Sequence, residues 1–219
     1  MYTTLASFID LATIIWQFLH AAWFEFINYF SRHQPRLHLS DTLIDALTPT
    51  MGPTIHCVRH AQGFHNLCIA NHSIHDPLLT PYGEEQCRTL SKNFPNMHSI
   101  DLVVASPMKR TINTALISFE PVIKEKDLTV IALPELQETS DLPCDTGSSP
   151  EELAKEFDGK PVDFSLVKSG WNVKRMKWAP TATAIEKRAR DARLWLMNRP
   201  EKNIVVVSHG TLLFRNLHL

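Results

Sequence analysis

The chain has 219 residues, a length that favours one domain with an appendage, and its 44% apolar and 21% charged residues exclude wholesale disorder. Its 22 Lys and Arg against 23 Asp and Glu give a net charge of −1, which argues against a nucleic-acid partner held by bulk positive charge. The four cysteines form no CxxC pair, so they predict neither a disulfide framework nor a zinc site and favour a reducing, cytoplasmic compartment.

Residues 1–30 are predicted to form a hydrophobic N-terminal helix. Between residues 5 and 30 there is no Lys or Arg, and aromatic residues are frequent. The stretch is long enough to span a membrane, which takes ~20 apolar residues, but Asp10, Gln17 and Glu25 are among the polar residues that interrupt it. It also lacks the positive start and cleavage site of a secretory signal. Four interpretations remain open: a helix that contacts a membrane surface or a partner protein, a spanning anchor, a cleaved or spurious segment, and a cover for an apolar patch of the following domain.

Residues 31–52 are polar and contain two prolines, and they predict a linker. From residue 53 to residue 219 the pattern changes to one domain of alternating strands and helices. Short β-branched runs predict buried strands at 54–58, 102–105, 128–132 and 204–207, and helical patterns lie at 81–94, 110–119, 150–157 and 182–198. This alternation predicts an α/β fold with three α/β/α layers and a mainly parallel sheet.

Chemically active side chains directly follow the predicted strands. Arg59 and His60 come after the first strand, and His209 comes after the last. Arg110 follows the second strand, and a loop with the acid Glu138 follows the third. Because sites in parallel α/β sheets form outside the carboxyl ends of the strands, we expect these side chains to meet at one edge of the sheet.

Five ordered sequence blocks resemble the histidine phosphatase superfamily, whose fold is also called phosphoglycerate mutase-like. They are RHAQGFHN at 59–66, DPLLT at 76–80, SPMKRTINTA at 106–115, LQE at 136–138 and VVVSHG at 205–210. RHAQGFHN together with ELQET and PCDTGSS is similar to a branch of small phosphatases and phosphomutase-like proteins of fungi and plants. The resemblance covers the chain from about residue 53 to its end.

The resemblance implies a metal-independent phosphatase that hydrolyses phosphomonoesters through a phosphohistidine. It implies that His60 is the nucleophile and that Glu138 donates a proton to the leaving alcohol. Arg59, Arg110 and His209 would surround the phosphoryl oxygens, because forked guanidinium donors match their geometry. Asn66 would add a neutral hydrogen bond. No cofactor and no metal are implied, and the partner would be a phosphorylated small molecule.

Several of these residues have simpler alternatives. Arg110 could form a surface salt bridge, and the acid could be a solvated loop residue, since Glu135, Asp141 and Asp145 lie near Glu138. The pKa of Glu138 would have to rise toward the working pH, so we expect a mildly acidic optimum.

The histidines at positions 56, 60, 65, 72 and 75 suggest a metal site, but no HExxH motif or cysteine pattern accompanies them, so no metal is predicted. His56 is predicted to pack in the core. Cys57 and Cys68 are predicted to be small buried apolar residues.

Two other functions remain open, namely a phosphoglycerate mutase-like phosphomutase and a catalytically inactive phosphate-binding module. The glutamate block lacks the extra basic and aromatic residues typical of true phosphoglycerate mutases, which favours hydrolysis. Only residues 210–219 follow His209, so the domain is predicted to be short at its C-terminus. Substrate walls are predicted in residues 144–178, with Trp171, Lys174, Arg175 and Lys177 as candidates; a solvated face around one packed Trp is the alternative. The oligomeric state is not predicted.

Overall fold

A computed structural model of the protein describes residues 52–215, with side chains through residue 213. The predicted N-terminal helix and all but the last residue of the predicted linker lie outside the described residues. Among residues 52–215, every helix is too short or too polar to cross a membrane.

Five parallel strands form one sheet in the described part of the chain. They are β1 (Thr54–Arg59), β2 (Leu102–Ala105), β3 (Val130–Ala132), β4 (Val162–Asp163) and β5 (Asn203–Ser208), in the spatial order β1-β5-β2-β3-β4. The four predicted strands are confirmed. The sequence did not predict β4, because a strand of two residues carries no periodicity.

Six α-helices are described: α1 (Pro81–Asn93), α2 (Lys109–Ser118), α3 (Glu120–Glu125), α4 (Pro150–Glu156), α5 (Ala182–Met197) and α6 (Gly210–Arg215). The four predicted helices are confirmed to within one residue at each end, and α3 and α6 are additional. Helix α1 begins where predicted because the Thr80 hydroxyl accepts the Gly83 N–H at 3.0 Å and Pro81 takes the first helical position.

The core confirms the three-layer architecture. Alternate residues of a strand point to opposite faces of the sheet, so each central strand contributes to two apolar clusters. In β2 and β5, Val103, Ala105, Val205 and Val207 pack with residues of α2 and α3, whereas Leu102, Val104, Ile204 and Val206 pack with residues of α5. All eight side chains are buried, as expected for a parallel sheet covered on both faces.

Strand β1 is less covered than the central strands. Among the described residues it pairs only with β5, and its Cys57 is exposed. Cys68, in the loop that follows β1, is exposed as well. The prediction that these two cysteines are buried is therefore wrong, because one lies on an edge strand and the other on a surface loop. His56 is half-buried and lies edge-on to Phe94, with ring centroids 5.6 Å apart, close to its predicted core position.

Candidate active site

The two histidines singled out by the sequence lie side by side. His60 directly follows β1 and His209 directly follows β5, and these strands are paired neighbours with Arg59 opposite Ser208. The ring centroids of His60 and His209 are 5.2 Å apart. Their exposed fractions are 5% and 0%, so the strand ends bring both imidazoles together in a buried position.

The hydrogen bonds of His60 define its tautomer. Its Nδ1 lies 2.7 Å from the carbonyl oxygen of Ala61. Since a carbonyl oxygen only accepts, Nδ1 carries the proton and Nε2 keeps its lone pair. Burial, and next the charge of Arg110, hold the pKa of His60 well below its ordinary value of 6.5. His60 is therefore a neutral imidazole with an available ring nitrogen, the form that a nitrogen nucleophile requires.

Arg110 enters the site from the first turn of α2 and is fully buried, so the alternative of a surface salt bridge is wrong. Its Nη1 donates to the carbonyl of Cys144 at 2.7 Å, and its Nη2 lies 3.3 Å from Oδ1 of Asp145 and 3.2 Å from Nδ1 of His209. The Nε–H of Arg110 has no partner among the described residues. A buried guanidinium with an unused N–H group can bind an anionic ligand by donating a hydrogen bond to it.

His209 is held between two hydrogen-bonding partners. Because Arg110 only donates, Nδ1 of His209 accepts, and the proton of the neutral ring lies on Nε2, 2.9 Å from the hydroxyl of Ser106. Burial, followed by the charge of Arg110, lowers the pKa of His209 well below its ordinary value. The predicted partner of His60 is thus also neutral in this arrangement.

The carboxyl group of Glu138 lies beside His209. Its Oε2 is 3.7 Å from Nδ1 of His209, and its Oε1 accepts the backbone N–H of Thr139 at 2.9 Å. Burial, and next the charge of Asp145, raises the pKa of Glu138 above its ordinary value. This is the direction that a proton donor working near neutral pH needs.

The three neighbouring acids are either ion-paired with another residue or exposed to solvent. Glu135 pairs with Lys177 at 2.5 Å, Asp145 pairs with Arg110, and Asp141 is exposed. Of the four acids that the sequence left as candidates, Glu138 alone is both largely buried and without a Lys or Arg pair in the described part of the chain.

Arg59 ends β1, directly before His60, and Asn66 lies in the turn 64–66 that follows. Both are exposed, and the side chain of Arg59 makes no hydrogen bond or ion pair with another described residue. The side-chain oxygen of Asn66 accepts the backbone N–H of Gly63 at 3.0 Å, which leaves its amide N–H groups for other partners. The structure thus brings His60, His209, Arg110 and Glu138 together and leaves the side chains of Arg59 and Asn66 exposed.

Sequence reasoning missed Arg188, which organises the loop that carries Glu138. Arg188 is 1% exposed and donates to the carbonyls of Glu135 at 3.2 Å and Glu138 at 3.3 Å, and also to the carbonyl of Gln137. Burial lowers its pKa to about 10. The signal was its position in α5, three residues after Ile185 on the inward apolar stripe, where a charged side chain requires a buried partner.

Lys174 reaches the same carbonyl from the predicted wall segment. Its Nζ donates to the carbonyl of Glu138 at 3.0 Å, and burial lowers its pKa to about 8. Trp171, by contrast, is 2% exposed and donates to the carbonyl of Ser148 at 3.1 Å. The segment therefore contains a packed tryptophan and one lysine directed at the site, while Arg175 is exposed and Lys177 pairs with Glu135.

The carboxylate of Asp76 links its own loop to Lys109, the residue before Arg110, and to Ser148. Its carboxylate accepts the backbone N–H of Lys109 at 3.1 Å and both the N–H and the hydroxyl of Ser148 at 3.0 and 2.8 Å. It is 2% exposed and has a φ of 41°, a left-handed conformation that Asp tolerates better than most residues. These bonds hold the start of α2, and with it Arg110.

Known proteins are similar to this chain, some in sequence and one in fold. A probable phosphatase of Schizosaccharomyces pombe is 32% identical over 162 residues, which cover 72% of this chain and 74% of the relative. A phosphoglycerate mutase-like protein of Arabidopsis thaliana is 32% identical over 194 residues, covering 72% and 70%. The crystal structure of the ecdysone phosphate phosphatase from Bombix mori, in complex with tungstate, has a TM-score of 0.53 at 19% identity and covers 73% of each chain, a likeness of fold.

The residues that build the site all lie inside one family match. The sequence profile described as "Histidine phosphatase superfamily (branch 1)" matches residues 55–215, which includes β1 with His60 and β5 with His209. The parallel sheet with helices on both faces is the phosphoglycerate mutase-like fold that the resemblance implied. With the family match, the relatives and the paired histidines in agreement, the chain belongs to the histidine phosphatase superfamily, branch 1.

Proposed function

We propose that this protein is a metal-independent phosphatase that hydrolyses phosphomonoesters through a phosphohistidine on His60. The observation that carries the proposal is the neutral, oriented imidazole of His60, with its proton on Nδ1 at the Ala61 carbonyl. Family membership and the phosphatase relative support the reaction class. Phosphate would be the leaving product, and a phosphorylated small molecule would be the substrate.

In the first step, Nε2 of His60 attacks phosphorus and the bond from phosphorus to the ester oxygen breaks. The carboxylic acid of Glu138 gives its proton to that oxygen, so an alcohol leaves and Glu138 becomes a carboxylate. In the second step, water attacks phosphorus, Glu138 takes back a proton from the water, and the phosphorus–nitrogen bond breaks. The raised pKa of Glu138 keeps the donor form populated at higher pH.

The charges around the site suit the transferred group. Arg110, with its unpartnered Nε–H, would donate to the phosphoryl oxygens, and Arg59 and Asn66 would close over them from the rim. His209 would donate a hydrogen bond to a phosphoryl oxygen in the other tautomer, in which Nδ1 carries the proton and the Ser106 hydroxyl donates to Nε2. Catalysis of this kind depends mainly on position and preorganised charge.

The proposal is tested by following phosphate release from an aryl phosphate in excess EDTA, together with rapid acid-free quenching to trap the phosphoenzyme. We expect turnover in the presence of the chelator. We also expect a phosphoenzyme that is stable to alkali and labile to acid, with the phosphoryl group on His60. Added glycerol or a sugar-acid acceptor separates hydrolysis from mutase transfer. A folded protein that binds phosphate without turnover would refute the phosphatase and support the inactive binding module.

Glu138→Gln is expected to affect substrates according to their leaving groups. Turnover of alkyl phosphates should fall by about 10²–10⁴, because an alkoxide needs the proton. A nitrophenyl phosphate should still give a burst of nitrophenol followed by slow turnover, since water attack has lost its base. Stopped-flow absorbance measures both phases, and an unchanged steady-state rate on an alkyl phosphate would contradict the assignment.

The pH profile provides a second test of Glu138. Its donor form is lost as the pH rises through the raised pKa, so kcat/KM for alkyl phosphates should fall on the alkaline side. His60 is neutral until the pH is well below its ordinary pKa, so its protonation should limit the rate only at strongly acidic pH. The alkaline limb should disappear in Glu138→Gln, and its persistence there would assign the limb to another group.

Arg188→Met should show that Arg188 is a positioning residue. Without its guanidinium the carbonyls of three residues in the Glu138 loop lose a donor. We expect kcat on alkyl phosphates to fall about 100-fold, the cost of misplacing a catalytic group by ~1 Å, with little change in KM. Arg188→Lys should recover part of the loss. The matched control is Arg190→Met, an exposed arginine on the same helix; equal loss in both variants would refute the role.

A further inference from the structure

The loop of residues 64–78 has an inverted pattern of burial. It buries two polar side chains, His65 at 7% and Asp76 at 2% exposure. The large apolar side chains of the loop are exposed by 39% to 84%. We call them the apolar rim: Phe64, Leu67, Ile69, Ile74 and Leu78. A loop that only stabilised the fold would bury its apolar side chains and expose its polar ones, so this arrangement points to a binding role.

The loop of residues 64–78 contacts His60, the proposed nucleophile. Its two ends meet where the N–H of Phe64 donates to the carbonyl of Leu78 at 3.1 Å. Inside the loop, the ring of His65 lies 5.4 Å from the ring of His60. Gly63 makes room for this contact, because a Cβ there would lie 2.8 Å from the His65 ring. The apolar rim therefore begins one residue away from a side chain that contacts His60.

The far side of the loop meets the residues that hold Arg110. The short turn Ile69–Ser73 packs against the turn Pro143–Asp145. The second turn supplies the Cys144 carbonyl and the Asp145 carboxylate that bind Arg110. The loop thus lies between the nucleophile and the turn that binds Arg110, the cation expected on the phosphoryl group.

The chemistry of this face selects the kind of group it can bind. Residues 64–78 contain no Lys, Arg or Glu, and their one carboxylate, Asp76, is buried and fully hydrogen-bonded to the chain. The face therefore offers no Lys or Arg to a second phosphate or a carboxylate, only His72, His75 and neutral polar groups, and it offers no accessible carboxylate to a cationic group. The segment of Lys174, whose Nζ donates to the Glu138 carbonyl, also exposes apolar residues, Val173 by 50% and Met176 by 89%.

We propose that the apolar rim binds the leaving group of the substrate, and that the preferred substrates are phosphomonoesters of apolar alcohols with an extended alkyl or aryl part. The inference rests on the proposed phosphatase activity. The alcohol would lie along the rim while its phosphoryl group sits between His60 and Arg110. Burial of its carbon atoms would contribute affinity without any directional bond.

The test is a series of n-alkyl phosphates, from ethyl through butyl and hexyl to octyl, used well below their micellar concentrations. We expect kcat/KM of the wild-type protein to rise by about two- to fourfold for each added CH2, the effect of burying one methylene group. The corresponding alkylphosphonates, which cannot be hydrolysed, should show the same trend as competitive inhibitors. The octyl-to-ethyl ratio of kcat/KM is the quantity to compare between variants.

The double variant Leu67→Ser/Ile69→Ser should lower the octyl-to-ethyl ratio by at least about tenfold, because two exposed contacts of the rim are lost. Leu194→Ser is the matched control, since Leu194 is an exposed leucine that belongs to α5 and not to the loop of residues 64–78. It should keep the wild-type ratio. Circular dichroism and thermal melting of each variant show that the fold is retained.

The outcomes separate this inference from the proposed function. Turnover of every ester with no dependence on chain length would overturn the inference and leave the phosphatase intact; the rim would then belong to a protein partner or to another part of this chain. A chain-length dependence that the double variant retains would overturn it too. If no ester is turned over in any buffer, the proposed function fails and the inference falls with it.

Discussion

His60→Ala is expected to abolish turnover of every phosphomonoester. The substitution removes the only nitrogen that the hydrogen bond to Ala61 leaves oriented for attack, and loss of a nucleophile costs at least about 10⁴ in kcat. No phosphoenzyme should form in rapid-quench experiments, because the atom proposed to carry the phosphoryl group is gone. The residual rate of His60→Ala is measured as phosphate release over hours with a fluorescent phosphate sensor.

A matched control makes this result specific. His75→Ala removes an exposed histidine from the same region of the chain and should retain wild-type kcat. Added imidazole should restore part of the activity of His60→Ala, because it supplies the missing nitrogen to the cavity left at His60. Retention of more than a few per cent of kcat by His60→Ala would show that the phosphoryl group does not pass through this residue.

Arg110→Ala is expected to have the second largest effect. Loss of one preorganised donor costs about 10²–10³ in rate, and Arg110 additionally anchors Asp145 and His209. Its removal also leaves the Asp145 carboxylate without its cation in a largely buried place. We therefore expect kcat/KM to fall by about 10³ or more and the free energy of unfolding to fall as well.

The pH profile of an Arg110 variant distinguishes its electrostatic role from a structural one. The charge of Arg110 lowers the pKa of both Glu138 and His60. In Arg110→Ala the alkaline limb of kcat/KM should therefore move to higher pH, because Glu138 holds its proton longer. Arg110→Lys should keep much of the charge but lose rate, since one ammonium cannot reach three partners in a fixed fork.

Lys109→Met is the control for these measurements, because Lys109 precedes Arg110 in α2 and forms an ion pair with Glu156 at 3.6 Å. It should leave kcat/KM within about twofold of the wild-type value, as expected for a weak, partly exposed pair. Equal losses in Lys109→Met and Arg110→Ala would mean that the start of α2, and not the buried guanidinium, determines the rate.

Much of the fold was predictable because its signals are local. A β-branched run such as IVVV at 204–207 forms β5, and a Thr-Pro start begins α1 at Pro81. The short strand β4 and the exposed state of Cys57 were not predictable. The first has too few residues for a pattern, and the second depends on which strand lies at the edge of the sheet.

The candidate site divides in the same way. The strand ends predicted that His60 and His209 would meet, because parallel strands deliver their carboxyl ends to one edge. The resemblance implied that Glu138 is the acid beside them, but Glu135, Asp141 and Asp145 lie close to it in the sequence. The choice depends on contacts made by residues far along the chain, such as Lys177 with Glu135 and Arg110 with Asp145.

The sequence by itself determined the order of the elements, the family resemblance and the two histidines, since these follow from short stretches of chain. Only the tertiary structure decided the tautomer of His60, the burial of Arg110 and the three carbonyl contacts of Arg188. It also decided that the loop after His60 exposes its apolar side chains. The physical reason is that burial and electrostatic environment arise from residues distant in sequence, which no local pattern encodes.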